Sequence, residues 1–279
     1  MTIKLIAIDM DETFLRTDKS YDRQRFARVF KELRDQGVIV LIASGNSYHQ
    51  LKEQFTPDIT QQLYFAGDNG SFIVKEDQVL DSQGLERELY LEIIDYIYAH
   101  SEANVHVCTG FESYIRKDDP SIEDAKIYNY VLYEVDQYQD IPEDKIAYKL
   151  AIHNDIPLED NKALAEELNQ AFPQTISVTS GNIYIDILNE NSGKGHAVRF
   201  MQDRYQIQPE ESVAFGDSLN DLSMMPEVNY NIAMANADPD LTAHCHYQIP
   251  SNDQDAVLDV LEAIADGNLD HYLKDYQLN

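Results

Sequence analysis

The sequence predicts an α/β protein: a core built on a parallel sheet, interrupted by an α+β insertion. Three observations predict it. Residues 3–8, 38–43 and 212–215 are short apolar runs with almost no polar face, as suits strands buried between two helical layers. A helical pattern stands between the first two, and strand–helix–strand is a right-handed parallel unit. The rhythm changes near residue 84 and returns after Lys194.

The elements follow in order. Residues 3–8, apolar apart from Lys4, form the first strand. Phe26, Val29, Phe30 and Leu33 recur at helical spacing; Ser20 or Asp22 can cap that helix and Gly37 stands where it should stop. Residues 38–43 make the second strand. A short helix is expected at 47–55, an apolar strand at 63–66, and a hairpin at 71–80 around Lys75-Glu76-Asp77. Between 84 and 188, helical patterns (Leu89, Ile93, Ile97; Leu164, Leu168) mix with alternating strands at 147–153 and 183–187. After Lys194 come a helix carrying Ala197, Met201 and Tyr205, strands at 212–215 and 230–234, and an amphipathic helix at 256–264. The expected domains are 1–83 with 189–279 as the core, and 84–188 as the insertion.

The chain has 279 residues and a formal net charge of −29, with 43% hydrophobic residues. That charge disfavours nucleic acid, which is bound mainly through Lys and Arg, and anionic membrane surfaces. It is divided between the parts: residues 84–188 hold 21 acidic and 7 basic side chains. Two distant cysteines, Cys108 and Cys245, exclude a disulfide framework and a Cys-rich zinc site. No apolar stretch approaches the ~20 residues that span a bilayer. The start, MTIKLIAIDMDE, lacks a secretory pattern. A cytoplasmic protein is expected; the oligomeric state is left open.

In open parallel sheets, ligands bind beyond the carboxyl ends of the strands. The residues there are Asp9, Asp11 and Thr13; Ser44, Gly45 and Asn46; Asp68, Asn69 and Gly70; and Gly216 to Asp221, with Lys194 opening the returning helix. Such a set supports phosphoryl transfer. A carboxylate can attack phosphorus, and Mg²⁺ held by one or two carboxylates neutralises the two anions. Asp9 and Asp217 can supply those carboxylates. Ser44, Thr13 and Lys194 are donors for the phosphoryl oxygens. Asp11, two residues from Asp9, is placed to act as acid and then base.

These residues resemble the haloacid dehalogenase-like phosphohydrolases, in their Cof-type, subclass IIB branch. The four motifs stand in order: Asp9-Met10-Asp11-Glu12-Thr13, Ser44 in IASGN, Lys194 in SGKG, and GDSLND from Gly216 to Asp221. Asn69-Gly70 and Met234-Ala235-Asn236-Ala237 extend the match. The resemblance implies a Rossmann-like core with an inserted α/β cap acting as a lid. It implies Asp9 as nucleophile, Asp11 as general acid/base, and Mg²⁺ held by Asp9, Asp217 and the backbone carbonyl of Asp11. Asn220 and Asp221 would support the metal site. Thr13, Ser44, Gly45 and Lys194 would hold the phosphoryl group, and Asn69 and Asn236 would position substrate or loops. The sequence departs from the family where Glu12 replaces a usual Gly and Asn46 a usual Arg; Asn189 and Asn191 stand for a usual Pro and Gly, and Ala235 for a common Gly.

The expected activity is Mg²⁺-dependent hydrolysis of small phosphorylated metabolites, such as sugar or nucleotide-like cofactor phosphates. A phosphotransferase or mutase of the same superfamily, and a receiver-like phospho-accepting module, are the alternatives. His244-x-His246 imitates a metal pair but has no third ligand in sight. Tyr128, Tyr130 and Tyr133 are read as packing residues rather than a base-stacking platform.

Overall fold

The computed structural model describes residues 2–128, 131–180 and 183–278. The strands in chain order are β1 (Leu5–Ile8), β2 (Ile39–Ala43), β3 (Tyr64–Gly67), β4 (Phe72–Lys75), β5 (Gln78–Ser82), β6 (Asn104–Cys108), β7 (Ser113–Arg116), β8 (Leu132–Val135), β9 (Lys149–His153), β10 (Thr175–Ser180), β11 (Tyr184–Asn189), β12 (Ser212–Gly216), β13 (Tyr230–Met234) and β14 (Tyr247–Ile249). The helices are α1 (Arg23–Asp35), α2 (Tyr48–Glu53), α3 (Pro57–Thr60), α4 (Arg87–His100), α5 (Ile122–Tyr128), α6 (Leu158–Ala171), α7 (Lys194–Tyr205), α8 (Pro239–Thr242), α9 (Ala256–Ala265) and α10 (Leu269–Leu273). The residues fall into two compact units. One holds Met1–Ser44, Pro57–Tyr64 and Lys194–Asn279; the other holds Gly45–Thr56 and Phe65–Gly193.

The first unit is a parallel α/β layer. β1 pairs with β12 on one side and β2 on the other, in the registers Leu5↔Ser212 and Leu5↔Ile39. β13 and β14 continue the parallel order beyond β12. All four residues of β1 are fully buried, as the continuous apolar run requires. α1 buries Phe26, Val29, Phe30 and Leu33. Asp22, not Ser20, is the cap: its carboxylate accepts from Arg25 N at 2.9 Å, satisfying one orphan donor of the first turn. Arg25 ties α1 to α9 through Asp259 and Glu262. α7 begins at Lys194, and its next residue must lack a side chain. A Cβ on Gly195 would lie 2.1 Å from the Ser223 carbonyl oxygen.

The second unit is α+β. Its six-stranded sheet runs β10-β11-β9-β6-β7-β8. It is antiparallel except for the parallel β7–β8 pair. Val105, Val107, Leu150, Ile152, Ile185 and Ile187 share one core with Tyr90, Ile93, Ile94 and Ile97 of α4 and with Ala165 and Leu168 of α6. Strand alternation then sends His106, Lys149 and Asp186 to the opposite face, where all three are nonetheless buried. Fully buried charged groups are rare unless paired. β3, β4 and β5 pair antiparallel in sequence order, with Phe65 opposite Val74.

Tyr130 and the Tyr128 side chain lie outside the described residues. Tyr133 is half exposed and stacks on Tyr114, ring centroids 5.6 Å apart. Among the described residues, no helix is long and apolar enough to cross a membrane.

Candidate active site

The apolar run of β1 delivers Asp9, 6% exposed, to its carboxyl end. The chain then turns sharply: Phe14 N donates to Asp9 O at 3.3 Å and Leu15 N to Met10 O at 2.8 Å. The turn needs a left-handed residue, and that residue is Glu12, φ 58. This is the position where the resembling family carries Gly, which adopts that conformation without strain. Here neighbours hold the strained residue. Asn236 Nδ2 donates to Glu12 O at 2.8 Å, and Asn252 Nδ2 donates to the Glu12 carboxylate at 3.3 Å and to Leu15 O at 2.9 Å.

Inside the turn, buried Thr13 donates its hydroxyl to Asp217 Oδ1 at 2.7 Å. Asp217 follows β12. Asp221, fully buried, accepts from the Asp217 and Ser218 backbone N–H groups through Oδ2, at 2.9 and 3.1 Å. Its Oδ1 receives Lys194 Nζ at 2.5 Å, and the same ammonium reaches Asp9 Oδ1 at 2.6 Å. One carboxylate oxygen from each of Asp9, Asp217 and Asp221 lies within 4.8 Å of the others.

The electrostatics follow from three carboxylates facing one ammonium. Burial pushes Asp9 up to about 7; Lys194 pulls against this, while Asp221 and Asp11 add to it. Burial, with Asp9 and Asp221, raises Asp217 well above the usual carboxylate range. Burial alone would lower Lys194, but Asp221 and Asp9 outweigh it and hold it above the ordinary lysine value. Three carboxyl groups thus compete for one ammonium, and every donor atom they offer is an oxygen. That donor set fits a hard divalent cation such as Mg²⁺.

The remaining expected residues are placed as follows. Asp11 Oδ1 sits 2.9 Å from Lys19 Nζ, partly exposed. Ser44 is buried just past β2, the strand registered with β1 through Ile8↔Ile42. Asn220 lies in the tight helical segment Leu219–Glu227, half-buried. Asn236 is exposed and acts on the Glu12 turn rather than on a carboxylate. Gly45 and Asn69 belong to the second unit. There Asn69 Nδ2 donates to Asp186 Oδ2 at 2.5 Å, and Gly45 O accepts from Lys149 Nζ at 2.5 Å. His244 and His246 direct Nδ1 at the backbone carbonyls of Asp240 and Asn229, as turn residues do.

Lys19, Asn252 and Lys149 were not expected in these roles. Lys149 carried a usable signal, a lone charge in an apolar alternating run. Lys19 and Asn252 carried none.

A family model described as haloacid dehalogenase-like hydrolase matches residues 6–261. The chain is 30% identical to the 5-amino-6-(5-phospho-D-ribitylamino)uracil phosphatase YbjI of Escherichia coli, over 95% of this chain and 97% of that protein. It is 26% identical to the phosphatase YwtE of Bacillus subtilis, named for the same substrate, over 95% of this chain and 99% of that protein. The crystal structure of SMU.1108c from Streptococcus mutans superposes with a TM-score of 0.87 at 32% identity, covering 94% of this chain and 98% of that one. With the ordered motifs, the parallel core and these matches together, the chain belongs to the haloacid dehalogenase-like hydrolases, as a Cof-type phosphatase.

Proposed function

We propose that the protein is a Mg²⁺-dependent phosphohydrolase of small phosphorylated metabolites, acting through an aspartyl-phosphate on Asp9. The observation that carries this reading is the cluster of Asp9, Asp217 and Asp221, with Lys194 bound to Asp9 and Asp221. Asp9, Asp217 and the Asp11 backbone carbonyl would hold the cation, with Asn220 and Asp221 in support. When bound, it supplies the charge neutralisation that lets an anionic carboxylate approach an anionic phosphoryl group.

The chain's own residues do the rest. An Asp9 oxygen attacks phosphorus as the bond from phosphorus to the leaving oxygen breaks. The Asp11 carboxyl gives that oxygen its proton, so an alcohol departs. The Asp11 carboxylate then takes a proton from water, whose oxygen attacks the acyl phosphate, and inorganic phosphate leaves as Asp9 is regenerated. Lys194, Thr13, Ser44 and the Gly45 N–H hold the phosphoryl oxygens. Asn236 keeps the Glu12 turn in shape, and Asn69 positions a neighbouring loop. Residues 84–188 are taken as the cap, which excludes bulk water.

Three named relatives support the substrate class. Two are phosphatases of a phosphoribityl-aminouracil, and one, at 24% identity, is an HMP-PP phosphatase. The test is phosphate release by the full chain from a panel of phosphorylated sugars, sugar alcohols and cofactor precursors, with Mg²⁺ and with chelator. Asp9→Asn should abolish release. Transfer of the phosphoryl group to a second sugar instead of water would replace hydrolase by phosphotransferase.

A further inference from the structure

Lys149 lies on β9, in the interior of the six-stranded sheet, with a side chain only 8% exposed. Its ammonium donates to the Gly45 carbonyl at 2.5 Å. It also lies 3.6 Å from Asp186 Oδ1 on β11 and 3.8 Å from Asp68 Oδ1. The other Asp186 oxygen receives Asn69 Nδ2 at 2.5 Å. One buried pair, Lys149 and Asp186, thus grips two loops: the one that follows Ser44 in the chain, and the one that follows β3.

Both loops need gripping. Asp68 and Asn69 are consecutively left-handed, φ 49 and 54, ahead of Gly70 at φ 84. The left-handed region is disfavoured for residues other than glycine, least so for Asp and Asn, and a consecutive pair there persists where the surroundings over-determine it. Residue 45 is closely surrounded by side chains. A Cβ there would lie 3.2 Å from Asn69 Oδ1, 3.3 Å from Ser180 Oγ and 3.4 Å from Asp186 Oδ2.

Stability alone does not explain the arrangement. Desolvation of a buried ion pair roughly cancels its attraction, so an apolar pair of similar volume would hold the fold as well. An apolar pair cannot make a charge-assisted hydrogen bond to a chosen carbonyl. We propose that Lys149, backed by Asp186, is a positioning residue that fixes the Gly45 peptide and so aims the phosphoryl donors of residues 44 and 45. This rests on the reading of Ser44 and Gly45 as phosphoryl holders.

The test is a double-mutant cycle. Lys149→Met/Asp186→Asn removes both charges and leaves Asn69 an amide acceptor; Asp186→Asn alone is the milder variant if the pair fails to fold. Each is combined with Ser44→Ala. The readout is kcat/KM for p-nitrophenyl phosphate and for two natural-type phosphomonoesters, with thermal melts to confirm folding. The expected loss is about 10–100-fold for Lys149→Met/Asp186→Asn and about 3–10-fold for Asp186→Asn, equal across substrates because the phosphoryl side is common to all. Ser44→Ala should cost at least about tenfold in the parent and under about threefold in the double variant, because coupled residues are non-additive. Additive losses, or losses that differ between substrates, overturn the proposal while leaving Ser44 in its role. A Ser44→Ala variant with full activity in the parent overturns the reading of Ser44, and this proposal with it.

Discussion

Lys194 Nζ lies 2.6 Å from Asp9 Oδ1, and the lysine is fully buried. The same ammonium holds Asp221, so it is the common counter-charge of two carboxylates. Lys194→Met leaves those carboxylates buried and uncompensated. Breaking a buried pair from one side costs about 3–5 kcal/mol, and loss of a preorganised phosphoryl donor costs about 10²–10³ in kcat. Urea melts and phosphate release should show both losses, with added Mg²⁺ restoring stability more than activity. A variant with parental kcat would remove Lys194 from the site.

Gly216 and Asp221 are bound by packing rather than charge. A Cβ on Gly216 would lie 2.5 Å from Asp221 Cβ. Neither side yields without cost, because β12 is held between β1 and β13 and Asp221 is anchored by two backbone N–H groups and Lys194. Gly216→Ala should therefore displace the carboxylate, destabilising by about 1–3 kcal/mol as overpacking does. Activity should fall further than that stability loss accounts for at 25 °C. Parental activity in a folded Gly216→Ala protein would show that Asp221 can shift without consequence.

How far the sequence was legible depends on the range of the interaction. β1 running into Asp9 needs only local patterning, and so does the fall of Phe26, Val29, Phe30 and Leu33 on one face of α1. The ordered strand ends pointed to Asp9, Thr13, Lys194 and Asp217 because the topology of a parallel sheet gathers them. The left-handed Glu12 was hidden, since its stabilisers, Asn236 and Asn252, lie more than 200 residues away. Lys149 was visible as a charge in an apolar strand, but its partners are Gly45, Asp68 and Asp186. No periodicity links those positions. Strands β6 and β10 were not named either, and the short strands β7, β8 and β14 were missed for a related reason. They have three or four residues each, and partly exposed positions blur their alternation.

The mutual repulsion of the clustered carboxyl groups, seen in the raised Asp9 and Asp217, makes metal dependence a test of stability as well as of rate. A ligand that binds only the folded state stabilises by about 2.7 kcal/mol at one hundred times its Kd. Millimolar Mg²⁺ should raise the melting temperature by several degrees, chelator should abolish phosphate release, and Asp217→Asn should remove most of the thermal shift. Lys194 is the ammonium that meets Asp9 and Asp221. Robust turnover in excess chelator would contradict that dependence.

Asp68 predicts a pH dependence that involves no part of the carboxylate cluster. Among the described residues neither of its oxygens has a well-formed hydrogen bond, and the side chain is 1% exposed. Burial pushes it up to about 7; Lys149 and the Gly110 N–H pull the other way, and Asp186 adds to the rise. The sign follows from proton counting. Between pH 4 and 7 the folded state keeps a proton that the unfolded chain has released, so stability falls as pH rises through that window. Asp68→Asn removes the titration. It should match the parent near pH 4 and grow relatively more stable up to pH 8. At about 1.4 kcal/mol per pH unit, the ceiling on that gain is about 4 kcal/mol. Urea midpoints at pH 4, 6 and 8, compared between the two proteins, measure it. A stability difference that stays constant across the three pH values would place the Asp68 carboxyl in its ordinary range, as an ionised neighbour of Lys149.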